Sequence, residues 1–137
     1  MIKWQDNFKI NVEHIDEQHE HLFEIANAIH ELLILPTYID RYDEIIHLIN
    51  QLKDYTKFHF AEEEKLMMEL DYNKFFSHKV MHQDFIDKIE SIDIYAIDEN
   101  QTELLLELLD FVTNWITEHI VKTDKYVGEW YQEVHKN

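Results

Sequence analysis

The chain has 137 residues, enough for one domain with an apolar core, and its lack of cysteine excludes disulfides, thiolate metal sites and cysteine nucleophiles. A formal net charge of −17, from 12 Lys and Arg against 29 Asp and Glu, argues against nucleic acid and anionic membrane surfaces as partners. One Gly and one Pro exclude a turn-rich all-β fold, and no apolar run approaches the roughly 20 residues that span a bilayer.

The opening stretch MIKWQDNFKI has neither a charged n-region nor an apolar h-region, so no signal peptide is read and a cytoplasmic location is expected. Residues 1–15 carry Trp4, Phe8 and Ile10 without a sustained helical period and read as an ordered N-terminal arm. Asp16 is the expected cap of the first helix, with Glu17 in its first turn. That helix places His19, Leu22, Ala26, Ile29 and Leu33 on one face, and Pro36 ends it. The second helix carries Ile45, Ile49, Leu52, Thr56, His59, Glu63 and Leu66 in alternating steps of four and three, and residues 70–73 follow as a connection. The third carries Phe75, His78, His82, Phe85, Ile89 and Ile92, up to the polar stretch 98–100. The fourth carries Leu105, Leu108, Val112, Trp115 and His119, and residues 125–134 suggest a short fifth helix weakened by Gly128. The expectation is all-α: one domain over residues 1–137, an antiparallel up-down-up-down four-helix bundle with an N-terminal arm and a short C-terminal helix.

His19, His59, Glu63, His78, His82 and His119 interrupt these apolar seams, and Asp124 follows the last of them. A polar group in a core seam is costly unless it is satisfied. One such histidine alone is more often a satisfied core residue than a ligand. Their joint depth reverses those odds. They fall at the start of the first helix, the end of the second, the start of the third and the end of the fourth. In an antiparallel bundle these are all one end. His59 and Glu63, like His78 and His82, are four apart and share a helix face. His119 and Asp124 are five apart, about 140° round an ideal helix and not one face; a carboxylate between two metals tolerates some of that offset, and local distortion near the helix end could supply the rest. Imidazole with carboxylate and no thiolate suits a di-iron centre, whereas calcium and magnesium want oxygen shells and structural zinc uses about four ligands. His14, His21, His30, His47 and His135 lie off this pattern and read as surface or boundary residues. Glu62 and Glu64 flank Glu63 and are expected to point into solvent.

The segments IDEQH (15–19), HFAEEE (59–64), HKVMH (78–82) and HIVKTDKY (119–126) together resemble the hemerythrin family, specifically bacterial single-domain hemerythrins. The resemblance spans nearly the whole chain. It implies a non-haem di-iron site that binds dioxygen reversibly. His78, His82 and His119 would hold one iron, and His19 and His59 the other. Glu63, Asp124 and a solvent-derived oxo or hydroxo group would bridge them, leaving a position for dioxygen beside His19 and His59. Phe23, Trp115, Ile116, Ile120 and Val121 are the expected walls of that pocket. The family commonly has Leu where this chain has Ile116, a β-branched change expected to reshape access. The implied role is carriage, storage or scavenging of dioxygen rather than enzymatic turnover, with a reductase or an oxygen-consuming enzyme as partner; the acidic surface makes a monomer the expectation. A sensing module for oxygen, iron or nitric oxide is one rival. A di-iron oxidase is another, but its Glu-x-x-His signature occurs only at Glu44–His47, far along the helix from the other ligands.

Overall fold

The computed structural model describes residues 2–136. Its helices are α1 (Glu13–Leu33), α2 (Tyr42–Glu69), α3 (Phe75–Glu90), α4 (Gln101–His119) and α5 (Lys125–Val134). A π turn, Ile120–Asp124, joins α4 to α5, and 3-10 turns occupy Asp6–Phe8 and Ile97–Glu99. No strand occurs among the described residues.

Helix α1 packs on α2 and α4, and α2 packs on α3. Gln18, early in α1, meets His59, late in α2. Arg41, just before α2, meets Leu32 late in α1 and Thr102 early in α4. The result is the all-α antiparallel bundle that the seams imply. Its middle is built from Leu22, Ala26 and Ile29 of α1, Ile45 and Leu52 of α2, Phe85 and Ile89 of α3, and Leu105, Leu108 and Val112 of α4, all buried. Each of these side chains except Ala26 stabilises the fold by roughly 1.5–3 kcal/mol relative to exposure. Thr56 also lies in the seam, and its hydroxyl donates to the Leu52 carbonyl at 2.7 Å, so its own helix satisfies it.

Two boundaries differ from expectation, and a third element forms where it was expected. Helix α1 begins at Glu13, behind Val12, so Asp16 is not its cap. The Asp16 carboxylate instead accepts the amides of Ile10 at 2.8 Å and Asn11 at 3.1 Å. Asn11 is in the left-handed region at φ 66, and the carboxylate braces that bend. Helix α3 stops at Glu90, before Ile92, which lies half-buried in a longer connection. Helix α5 forms despite Gly128, and the glycine has a packing reason. A Cβ there would collide with the Ile10 carbonyl oxygen where the arm crosses the helix.

The arm is anchored by Trp4 and Phe8 against Phe23, with ring centroids 5.3 and 4.8 Å apart. Ile2 exchanges two hydrogen bonds with the Asn27 side chain. Trp130 Nε1 donates to the Leu70 carbonyl at 2.9 Å, and Gln132 donates to the Asn11 carbonyl at 2.8 Å. Arm and α5 thereby cover the end of the bundle where α2 finishes and α3 begins.

Candidate metal centre

The six seam residues and Asp124 meet at that covered end. All are buried, His119 being the most exposed at 7%. The two carboxylates each divide their oxygens between two sets of histidines. Glu63 Oε1 lies 2.8 Å from His78 Nε2 and 3.5 Å from His82 Nε2. Its Oε2 lies 3.2 Å from His59 Nε2 and 3.5 Å from His19 Nε2. Asp124 Oδ1 is 2.9 Å from both His78 Nε2 and His119 Nε2, and its Oδ2 is 3.0 Å from His19 Nε2. Two overlapping groups result: Glu63, His78, His82, His119 and Asp124, and His19, His59, Glu63 and Asp124, each with donor atoms within 4.8 Å of one another.

The π turn brings Asp124 into this set. A π turn closes with i→i+5 hydrogen bonds, so five residues make about one turn where an α-helix would overshoot. Asp124 thus returns to the face of His119, the distortion that the five-residue spacing demands.

These groups do not satisfy one another. Both Glu63 oxygens, both Asp124 oxygens, both His19 nitrogens and His78 Nδ1 are buried without a hydrogen-bond partner, although several lie within 3.5 Å of an opposite group. The distances suit hydrogen bonds and the directions do not. Nε2 of His119 also faces Nε2 of both His78 and His82, at 3.1 and 3.2 Å. Nitrogens that point at each other share at most one proton per pair. Lone pairs converging on common points, in a site closed to water, fit bound cations. The donor chemistry, imidazole and carboxylate without sulfur, fits iron.

Protonation follows the same geometry. Burial alone would strip the His19 proton, but the Asp124 and Glu63 carboxylates reverse this and raise its pKa to about 9. His78 is treated likewise and reaches about 10. Burial opposes a charge on His82 too, yet Glu63 and Glu64 raise its pKa. His59 goes the other way, because burial outweighs Glu63 and the neighbouring His19 repels a second charge. Burial would push both carboxylates up. The surrounding histidines win and hold Glu63 and Asp124 below the usual range. A cation entering here displaces protons from the imidazoles.

Four residues outside the seven hold the rings, and they correct the expectation for Glu64. It is not a solvated neighbour. Its Oε2 lies 2.9 Å from His82 Nδ1, and its side chain is only 19% exposed. Phe60, four residues earlier on α2, stacks flat on the His82 ring with centroids 4.0 Å apart. Gln18 Oε1 lies 2.7 Å from His59 Nδ1. Trp115, one turn before His119, stacks on it at 4.3 Å. Trp115 therefore sits on the three-histidine side, not beside His19 and His59. Of the other expected pocket walls, Phe23, Ile116 and Ile120 are buried, but Val121 is 41% exposed and faces outward. His14, His21, His30, His47 and His135 stay outside the cluster; His21 pairs with Glu24, and His135 with the Tyr131 carbonyl.

Residues 11–131 match the family model described as the hemerythrin HHE cation binding domain. The chain belongs to the hemerythrin family. The bacteriohemerythrin of Clostridium acetobutylicum is 46% identical over 91% of this chain and 97% of its own length. The myohemerythrin of Theromyzon tessulatum is 27% identical over 93% of this chain and 92% of its own. A crystal structure of wild-type hemerythrin superposes with a TM-score of 0.74 at 25% identity, covering 94% of this chain and 96% of that one. The hemerythrin fold thus places seven buried donors at one end of its bundle. Among the described residues no helix is long and apolar enough to cross a membrane.

Proposed function

We propose that residues 1–137 act as one hemerythrin unit that binds dioxygen reversibly at a di-iron centre, as a carrier, store or scavenger. The observation that carries this reading is the inequality of the two donor groups around shared carboxylates. His78, His82 and His119 would hold one iron, His19 and His59 the other, with Glu63 and Asp124 between. The smaller group offers fewer donors, so its metal keeps room for an outside ligand. When bound, the iron pair supplies the electrons on which reversible dioxygen binding draws.

The chain's own contribution is enclosure and orientation. Phe23, one turn after His19, is buried under Trp4 and Phe8 and keeps water from that side. Ile116 and Ile120 bury apolar surface along the α4 side. Gln18 holds a proton on His59 Nδ1, which leaves Nε2 free to face the carboxylates. The names of the relatives, bacteriohemerythrin and myohemerythrin, support the same reading. A di-iron oxidase is less favoured, because Glu44 and His47 are exposed near the start of α2, away from the donors. We read the protein as a cytoplasmic monomer that is not itself an enzyme and is served by a reductase or by an oxygen-consuming partner.

The test is the visible spectrum of iron-loaded protein cycled between argon and air. A colour change that reverses over repeated cycles supports the carrier. One-way oxidation, with turnover of an added substrate, overturns it in favour of an oxidase. His78→Ala and His82→Ala should each lower the iron bound per chain, and full retention of two irons would sink the ligand assignment.

A further inference from the structure

The residues that grip the outer nitrogens of the histidines are chemically unequal across the two donor groups. On α2, His59 and Glu63 are four apart, and so are Phe60 and Glu64. The first pair enters the cluster. The second pair, rotated by one residue, forms a cradle for a ring from the next helix. Phe60 lies parallel to His82 within 6°, and Glu64 Oε2 faces its Nδ1 at 2.9 Å. An ionised carboxylate only accepts, so Nδ1 carries the hydrogen and Nε2 is turned toward Glu63 and His119. Across the cluster, His59 Nδ1 meets the Gln18 amide oxygen, a neutral acceptor. Residues bonded to a ligating imidazole raise its basicity and fix its tautomer, and a carboxylate does so more strongly than an amide.

We propose that Glu64 is a positioning residue that makes the three-histidine position the tighter of the two metal positions, while Gln18 leaves the His19/His59 position the weaker. This rests on the di-iron reading above and adds a graded order to it. Iron fills the position of His78, His82 and His119 first. The position meant to exchange ligands is held by the less basic histidine.

The test is anaerobic titration of the metal-free protein with ferrous iron against a competing chelator, which reads two affinities without measuring dioxygen binding. Glu64→Gln keeps an acceptor for His82 but removes the charge, and should weaken the tighter position by about 10-fold; Glu64→Ala removes both and should approach 100-fold. Glu62→Gln is the charge-matched control, since Glu62 lies on the same turn and has no hydrogen bond or ion pair to a histidine among the described residues; it should change neither affinity by more than about 2-fold. Gln18→Glu supplies the missing carboxylate to His59 and should tighten the weaker position, a gain that misfolding cannot mimic. Equal losses in Glu64→Gln and Glu62→Gln, or a weaker site in Gln18→Glu, overturn the proposal while leaving the di-iron reading intact. Failure of the unaltered protein to take up two irons overturns both.

Discussion

The two ends of the bundle both bury charge, and they handle it differently. At the end away from the histidines, Arg41 is only 2% exposed. Its Nη1 donates to the Leu32 carbonyl at 3.3 Å, its Nη2 to Thr102 Oγ1 at 2.9 Å, and its backbone amide to Gln101 Oε1 at 2.9 Å. Gln101 in turn donates to Asp40 at 2.8 Å. The Gln101 amide and the Tyr42 N–H hold the Asp40 carboxyl below its usual range. Three helix termini are stitched together by donors meeting acceptors, with Arg41 Nε the one nitrogen of the guanidinium left buried without a partner. At the other end imidazoles and carboxylates converge without completing a network, and both oxygens of two carboxylates are left without partners. A nearly closed network makes a joint, whereas an open one makes a binding site. What separates them is direction, since distances at the two ends are alike.

That contrast can be broken experimentally, and the largest effect belongs to the open end. Asp124→Ala removes a carboxylate from both donor groups. Bound iron measured per chain should fall from about two to less than one, whereas Arg41→Met should leave the iron content unchanged. Next in size is the pH dependence of the metal-free protein. His19 and His78 have pKa values raised to about 9 and about 10 from 6.5. Their protonated forms stabilise the fold fully below pH 6.5, and that stability is lost as pH climbs through 9 and 10. Glu63 and Asp124 are depressed, so their contribution is present above the ordinary carboxylate range and lost as pH falls below it. His59, lowered from 6.5, pulls the other way and favours the fold as pH rises through that value, so urea unfolding of metal-free protein should be hardest near neutral pH and ease toward pH 10. Loading with iron should flatten the alkaline slope, because the metal replaces those protons.

Smaller effects sharpen the comparison from the closed end. Arg41→Met strands Thr102 and the Leu32 carbonyl, and should cost about 2 kcal/mol in urea unfolding with no change in the shape of the pH curve. Smallest is Gly128→Ala, where the new methyl must push the arm off α5. A loss of about 1 kcal/mol is expected, with faster loss of iron to a chelator, because the arm helps to cover the donor end. Unchanged chelator kinetics would mean that the cover does not control access.

The sequence reveals the open end better than the closed one. Metal donors repeat on helix seams, and an amphipathic period is a local property that survives without knowledge of neighbours. His59/Glu63 and His78/His82 could therefore be placed on faces and at depths from spacing alone. Glu64 could not, because its position one residue past the seam reads as solvent-facing until α3 delivers His82 to it. Gln18 is hidden for the same reason. Arg41 gives no local signal at all, since an arginine before a helix looks like surface, and its burial depends on acceptors about 60 residues away. Val121 misled in the opposite sense. On a continuous helix it shares the neighbourhood of Ile120, but it opens outward at the π turn. Asp16 looked like a cap by type, and the turn at Asn11 moved the helix start ahead of it.

The π turn at Ile120–Asp124 also makes this part of the chain sensitive to counting. Helices usually tolerate exchanges of side chain and fear only shifts of frame. Here the frame itself holds the site, since an ideal helix advances about 100° per residue and the widened turn absorbs one such step. Removing a single residue between His119 and Asp124 would restore an ordinary spacing of four and let the segment relax to a regular helix. Asp124 would then keep its place beside His119 and α5 would keep its azimuth, because the lost residue and the lost widening cancel. Relaxing the same segment to a regular helix at its present length would instead turn Asp124 and all of α5 by one step, so that Gly128 would no longer lie under Ile10, nor Trp130 beside the Leu70 carbonyl. The widened turn thus serves two masters at once, the donor cluster before it and the seating of the last helix after it.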